Sequence, residues 1–278
     1  MTAIVTGAGG FLGRALATRL RAEGSAVLAP PRAELDWRDA AAVERFVAAS
    51  GATTLYHLAS SGVTNPDADD SSILADETAM ARAIAATASA GMRIVYAGSM
   101  AEYGRAGRLA ETDPVAPRNG YARAKVEAGR ILAEQSRADV VHARLFGLHG
   151  PGEAAGRLLP AIAAALREGR AIALSDGRQR RDFVHVDDAA RVLAALGALA
   201  EAPAVVNVGT GIALEVRAVA LALARELGAD PALLRFGARA RSPHDQDLLE
   251  ADTALLAATL GWVPPQRLAR AKATQDFA

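Results

Sequence analysis

Apolar residues along this chain fall into two alternating kinds of stretch. Short runs at Ala3-Ile4-Val5, Ala26-Val27-Leu28-Ala29, Thr54 to Ala59, Arg93 to Ala97 and Asp139 to Leu145 have the length of buried strands. Between them, helical spacing runs from near Arg14 to Glu23, about Asp39 to Ala49, about Ser72 to Ser89 and Tyr121 to Gln135. Gly24 suits a helix C-cap, Pro30-Pro31 stops the second strand, and Ser60 to Asp70 is a polar loop. Strands alternating with helices of this length predict an α/β fold built on a doubly wound parallel sheet.

Pro151-Gly152 breaks the pattern, and a second, less regular half follows. It reads as helix (Leu158 to Glu168), strand (Ala171 to Leu174), turn (Asp176-Gly177), strand (Phe183 to Val186), helix (Asp188 to Leu199), strand (Val205 to Val208), helix (Glu215 to Leu227) and a last helix near Asp252 to Leu260. The expectation is a first domain over 1–150 and a smaller C-terminal α/β part over 151–278, with a strand and helix near 181–200 returning to the first domain. In open α/β sheets ligands lie beyond the carboxyl ends of the strands. Substrate is therefore expected between the two parts.

The junction of the first strand and first helix, Thr6-Gly7-Ala8-Gly9-Gly10-Phe11-Leu12-Gly13, carries the first chemical signal. Glycines there allow a tight turn, a close approach of bare backbone to a diphosphate, and close packing of the helix on the sheet. The free N–H groups and the positive dipole end of the helix then favour an anion without a basic side chain. The spacing Gly7, Gly10, Gly13 departs from the commoner G-x-G-x-x-G, so the turn alone leaves open a glycine-rich turn of any α/β protein.

Composition narrows the partners. Lys plus Arg and Asp plus Glu are both 31, giving zero net charge, so no global field recruits nucleic acid or an anionic membrane. With no cysteine in 278 residues there is neither a disulfide framework nor thiolate chemistry, which fits a reducing cytoplasm. His57, His142, His149, His185 and His244 are scattered, none at a metal-ligand spacing, and no metal is expected. No charged segment precedes the strand at Ala3, and the longest apolar run, Val192 to Ala200, is too short for a bilayer, so the chain reads as cytoplasmic.

Ser99, Tyr121 and Lys125 attract attention together. Tyr121 and Lys125 are four apart in a helical stretch and share a face. A lysine ammonium beside a phenol favours the phenolate, which brings such a pair within reach of acid–base work near neutrality. Ser99 follows the strand ending at Ala97, at the same carboxyl edge as the glycine turn, where its hydroxyl could hold a substrate oxygen. A bare Y-x-x-x-K is commonly a solvated surface pair; the glycine turn and the strand-edge serine make the catalytic reading the favoured one.

These pieces resemble the extended short-chain dehydrogenase/reductases of the NAD(P)-dependent nucleotide-sugar epimerase/dehydratase family. TGAGGFLG (6–13), YHLAS (56–60), YAGSMAEYG (96–104), YARAK (121–125), RLFGLHGPG (144–152), RDFVHVDDAA (181–190), NVGTG (207–211) and LGWVP (260–264) carry the similarity over nearly the whole chain. The resemblance implies a Rossmann domain and hydride transfer at C4 of a nucleoside-diphosphate sugar. It implies that Ser99 and Tyr121 bond the C4 oxygen and that Lys125 holds the nicotinamide ribose. Backbone at Gly10, Phe11 and Leu12 would hold the pyrophosphate, Asp36 would meet the adenine, and Leu58-Ala59 would line the cofactor. It further implies a homodimer through the helices at Ala75 to Ala88 and Tyr121 to Gln135. His57 reads as a packed strand-end residue.

Departures from the family pattern narrow the chemistry. Met100-Ala101 stands where the dehydratases carry an Asp-Glu pair, and Ala101 where the fucose-synthase type has a cysteine. The remaining Ser-Tyr-Lys set points to a 4-ketoreductase, with a UDP-sugar 4-epimerase holding NAD tightly as the alternative and a non-catalytic dinucleotide sensor as a remote one. Arg32 follows the second strand where NAD enzymes present a carboxylate to the ribose, which favours NADP over NAD. Arg181 matches the arginine that contacts the nucleotide diphosphate, Gly147 replaces a usual asparagine, and Arg241 stands beside Ser242, which replaces a usual arginine.

Overall fold

A computed structural model describes residues 1–61, 71–243 and 245–268. The strands are β1 (Thr2–Thr6), β2 (Ala26–Leu28), β3 (Thr54–His57), β4 (Arg93–Ser99), β5 (Gly107–Leu109), β6 (Asp139–Leu145), β7 (Gly147–His149), β8 (Ile172–Leu174), β9 (Arg180–His185), β10 (Val205–Val208), β11 (Ala213–Glu215), β12 (Leu234–Phe236) and β13 (Leu248–Ala251). The helices are α1 (Phe11–Ala22), α2 (Ala40–Ser50), α3 (Ser71–Thr87), α4 (Gly120–Gln135), α5 (Leu158–Arg167), α6 (Val186–Ala198), α7 (Val216–Glu226) and α8 (Ala254–Leu260).

Six strands form a parallel sheet in the order β10-β6-β4-β3-β1-β2. The apolar runs are buried because both faces of this sheet are covered. On one face Leu12, Leu16 and Leu20 of α1 meet Val192, Leu193 and Leu196 of α6 over Ala3 and Val5. On the other, Val43 and Val47 of α2, Met80 and Ile84 of α3, and Ile131 and Leu132 of α4 close over Ile4, Leu55 and Ile94. This is the expected Rossmann-type sheet. The chain enters at β1, runs outward to β2, then crosses back to β3, so the topological switch point lies between β1 and β3, where a crevice opens at the carboxyl ends.

A second sheet, β11-β9-β13-β5 with β7 pairing β9, stands beyond those carboxyl ends. The strand expected to return to the first unit, at 181–185, is β9 and belongs to this second sheet; the returning pair is α6 with β10, which pairs β6. The buried face of α6 fits this: its apolar stripe packs on α1, and the chain leaving it adds β10 beside β6. The second sheet also takes β5, from within the first 150 residues. α1 begins at Phe11, three residues before the expected start, because Gly10 is the N-cap and the turn passes directly into the helix. His244 and most of the polar loop, 62–70, lie outside the described residues.

Candidate active site

The glycine turn is set by close approaches. Gly7 sits at φ 67°, and a Cβ there would meet Ala59 Cα and N at 2.8 Å; a Cβ on Gly13 would meet the Gly7 carbonyl oxygen at 2.1 Å. Neither contact can relax, because both neighbours are backbone. Thr6 fastens the turn to the end of β3: its Oγ1 accepts the N–H of Leu58 at 3.0 Å and of Ala59 at 2.9 Å, and bonds His57 Nδ1 at 3.0 Å. No side chain caps the α1 N-terminus at Gly10, so its first N–H groups keep their capacity for an anion. The structure thus brings Gly7, Gly10, Phe11, Leu12, Gly13, Leu58 and Ala59 into one rim of the crevice.

His57 is the packed strand-end histidine of the sequence reading. It is buried, stacked on Tyr96 at 5.5 Å, and burial takes its pKa down to about 4, so the ring is neutral at physiological pH.

Ser99 ends β4 and N-caps a short 3-10 turn, Met100–Tyr103. Its oxygen accepts the Ala101 N–H at 3.2 Å, which leaves the hydroxyl proton to donate outward. Glu102 locks the Ser99 backbone from behind. One carboxylate oxygen accepts the Ser99 N–H at 2.7 Å and contacts His142 Nε2 at 3.0 Å, and the other accepts Arg144 Nε at 3.0 Å. Burial pushes this carboxyl up, but His142, Arg144 and the Ser99 N–H together bring it below the ordinary range. With no exposed surface, Glu102 is committed to the scaffold. It cannot stand in for the carboxylates missing at Met100-Ala101.

Asn119 caps α4 by accepting the Ala122 N–H at 2.8 Å, which places Tyr121 in the first turn, half-buried, and Lys125 one turn deeper. Lys125 is 2% exposed; its Nζ lies 5.9 Å from the Tyr121 ring centre and 5.3 Å from that of Tyr96. The same Nζ bonds Glu77 Oε2 of α3 at 3.2 Å. Burial works against the Lys125 charge, yet Glu77, aided by the two phenols, holds its pKa above the ordinary lysine value. Burial likewise raises the Glu77 carboxyl, and Lys125 foremost overcomes it, leaving the carboxyl below its ordinary value.

The adenosine end is more open. Asp36 accepts the backbone N–H of Arg38 at 3.0 Å and its guanidinium at 2.6 Å, and Arg38 also reaches Asp76 at 2.9 Å. These bonds hold the Asp36 carboxyl at about 2. Arg32 is exposed, close enough to Asp36 to favour its charge. At the far side, Arg181 and Arg241 converge on one carboxylate: Asp245 accepts from the Arg181 guanidinium and from Arg241 Nε at 3.3 Å, and Arg241 also reaches Asp247 at 2.8 Å. Gly147 has a steric reason, since a Cβ there would lie 2.9 Å from the Asp182 carbonyl oxygen of β9.

Glu77, Glu102 and Arg144 were not anticipated from sequence. For Glu77 a signal was present: Ile73, Glu77, Met80, Ala81 and Ile84 follow helical spacing, so a carboxylate falls on the apolar face of α3.

Fold and turn together define a Rossmann-type α/β protein. The chain belongs to the NAD dependent epimerase/dehydratase family, whose model matches residues 3–209, and hence to the extended short-chain dehydrogenase/reductases. It is 29% identical to the dTDP-6-deoxy-L-talose 4-dehydrogenase (NAD(P)(+)) of Kitasatospora kifunensis, over 96% of this chain and 92% of that protein. It is also 29% identical to the UDP-glucose 4-epimerase of Mycolicibacterium smegmatis, over 100% of this chain and 98% of that protein. Among solved structures, MoeE5 in complex with UDP-glucuronic acid and NAD superposes with a TM-score of 0.83 at 25% identity, covering 99% of this chain and 97% of that one.

Proposed function

We propose that the chain is a reductase of a 4-keto nucleotide sugar that prefers NADP(H) to NAD(H). The observation that carries the reading is the state of the carboxylates around Ser99. Met100 and Ala101 supply none, and Glu102 is buried in bonds to Ser99, His142 and Arg144. Among the described residues no free carboxylate stands beside Ser99 to abstract a proton at C5 with loss of water, whereas a ketone–alcohol step needs only the Ser-Tyr-Lys set. The full-length likeness to a 4-dehydrogenase and a 4-epimerase supports chemistry at C4.

The glycine turn and the uncapped α1 N-terminus fit a dinucleotide diphosphate, with Leu58-Ala59 beside it. When bound, the nicotinamide supplies the hydride that forms the new C–H bond at C4. Ser99 donates its hydroxyl to the C4 oxygen and orients the carbonyl. Tyr121 gives that oxygen a proton as the C=O π bond opens, and the Lys125 ammonium steadies the phenolate left behind. Arg32 would pair with a 2′-phosphate, and Asp36 and Arg38 would flank the adenine. Arg181 and Arg241 would hold the sugar's diphosphate by exchanging part of their hold on Asp245.

The test is a titration of NADPH and NADH followed by a thermal-shift and turnover panel of 4-keto and 4-hydroxy nucleotide sugars. Tyr121→Phe is expected to lower turnover at least about 10²-fold while dinucleotide binding survives; retained turnover would remove Tyr121 as the acid. The second reading, a UDP-sugar 4-epimerase, is favoured by the end-to-end match to the mycobacterial enzyme. NAD co-purifying with the protein, C4 isomers interconverting and no NADPH consumed would establish it.

A further inference from the structure

Glu77 stands out among the buried ionisable groups near the candidate site because its bonds to described residues run to Lys125 and to the loop after β3. It has no exposed surface and lies on the apolar face of α3, between Ile73 and Met80-Ala81. One oxygen accepts Lys125 Nζ at 3.2 Å, and the other accepts the Ser61 N–H at 2.8 Å. Ser61 lies two residues beyond Leu58-Ala59, the strand end fastened to the glycine turn by Thr6. The carboxylate thus joins the expected ribose-holding lysine to the loop that continues the segment expected to line the cofactor.

The surroundings of Lys125 make that carboxylate consequential. Among the described residues, His57 of β3, Tyr96 of β4, Tyr121 of α4 and Glu77 of α3 are the titratable groups around it, with Glu102 acting on Tyr96 from the 3-10 turn. His57 is neutral and burial holds the Tyr96 phenol protonated, so among the described residues Glu77 is the anion in bonding contact with Lys125. An ammonium taken out of water without an anion surrenders its proton instead of staying charged. Stability does not explain the pair. Buried ion pairs are often no better than apolar replacements, and the rest of the α3/α4 contact is made by Met80, Ala81, Ile84, Ala128, Ile131 and Leu132.

We propose that Glu77 is a positioning residue that keeps Lys125 charged and aimed at the cofactor ribose. The proposal rests on the dinucleotide-binding reading above and goes beyond it in giving that lysine a partner of its own. Without the carboxylate, Lys125 loses its proton as pH rises through the range where the wild-type lysine stays charged. Cofactor affinity and turnover then become pH-dependent together.

The experiment is an NADPH titration by nicotinamide fluorescence at several pH values between about 6.5 and 9.5, on the wild type, Glu77→Gln and Glu77→Asp, with thermal melts as the check on folding. The wild-type Kd is expected to stay flat. That of E77Q should lie near wild type at the acid end and weaken at least about tenfold toward the alkaline end, one decade in affinity for each pH step of one beyond the lysine's new pKa. E77D restores the charge and is expected to bring Kd within about threefold of wild type at every pH. A folded E77Q whose Kd tracks wild type across the series overturns the role of Glu77, as does failure of E77D to rescue. If E77Q does not fold, Glu77→Ala takes its place in the same pH series. A folded E77A whose Kd weakens at least about tenfold toward the alkaline end supports the proposal, a Kd that tracks wild type overturns it, and a variant that also fails to fold makes the carboxylate structural and overturns it. A wild type that binds neither NADPH nor NADH refutes the proposed function itself, a distinguishable result.

Discussion

Glu153 shows how one side chain near the turn can set pH behaviour. Arg14 donates to the carbonyls of Gly9 at 2.6 Å and Gly152 at 3.2 Å, pinning the loop before α5 to the glycine turn. Glu153, the next residue, is 8% exposed at its side chain; burial pushes its carboxyl up to about 7, and only Arg157, 3.8 Å away, opposes. Its folded pKa lies above the ordinary 4.5, so the neutral form is favoured in the native state. The stability it contributes below the ordinary value is lost as pH rises through about 7. Glu153→Gln keeps the neutral shape, and is expected to gain up to about 3 kcal/mol at pH 8 and little at pH 5, read from urea midpoints at the two values. Arg32 is tested at the same scale. Arg32→Ala should weaken NADPH about tenfold or more, the worth of a charged contact to phosphate, and leave NADH unchanged. Equal losses for both would place Arg32 away from the 2′-phosphate.

Between elements, single buried polar residues do the joining. Asp182 on β9 is fully buried and accepts the N–H of Thr210 at 2.9 Å and of Gly211 at 2.9 Å, the Thr210 hydroxyl at 2.6 Å, and the Ala251 N–H of β13 at 3.3 Å. Burial raises its pKa despite these donors. Asp182→Asn turns an amide toward donors it cannot accept, and should cost about 2–3 kcal/mol in urea unfolding; a loss under about 0.5 kcal/mol would show that the cluster repacks freely. Asn207 of β10 does a similar task, accepting the Tyr103 hydroxyl at 2.7 Å and donating to the Leu109 carbonyl of β5 at 2.8 Å. Such joints explain what the sequence could and could not tell. The strands of the parallel sheet were legible because both faces are buried, so β1, β3 and β6 read as apolar runs. β5, β7, β11, β12 and β13 were not: at three or four residues they show no period, and pairings such as β5 with β13 join segments far apart in the chain. At the candidate site, Ser99, Tyr121 and Lys125 were singled out by spacing and likeness. Glu102 was hidden because its partners, His142 and Arg144, sit on β6 forty residues further along, where no local pattern can show them.

At the scale of the molecule, the crevice is made by a chain that leaves the first sheet and comes back. Residues 1–150 supply β1 to β4 and β6 of the parallel sheet, but β10 and α6 come from beyond them. Without α6, the apolar side of α1 at Leu12, Leu16 and Leu20 faces water, as do Val5, Val95 and Val141 beneath it. Exposing that many side chains costs on the order of 1.5–3 kcal/mol each, more than the whole stability of an average domain. A fragment ending at residue 150 is therefore expected to lack a cooperative thermal transition, whereas the full chain unfolds in one transition that a saturating dinucleotide moves upward, by about 2.7 kcal/mol at a ligand concentration 100 times Kd. Differential scanning calorimetry of both proteins, with and without NADPH, reads each outcome. A cooperative melt of the fragment would mean that the cofactor-binding half stands alone and that the returning segment only shapes the substrate side. Its absence would mean that the segment returning from the second part, α6 and β10, completes the core under the glycine turn, so that the two parts cannot fold apart.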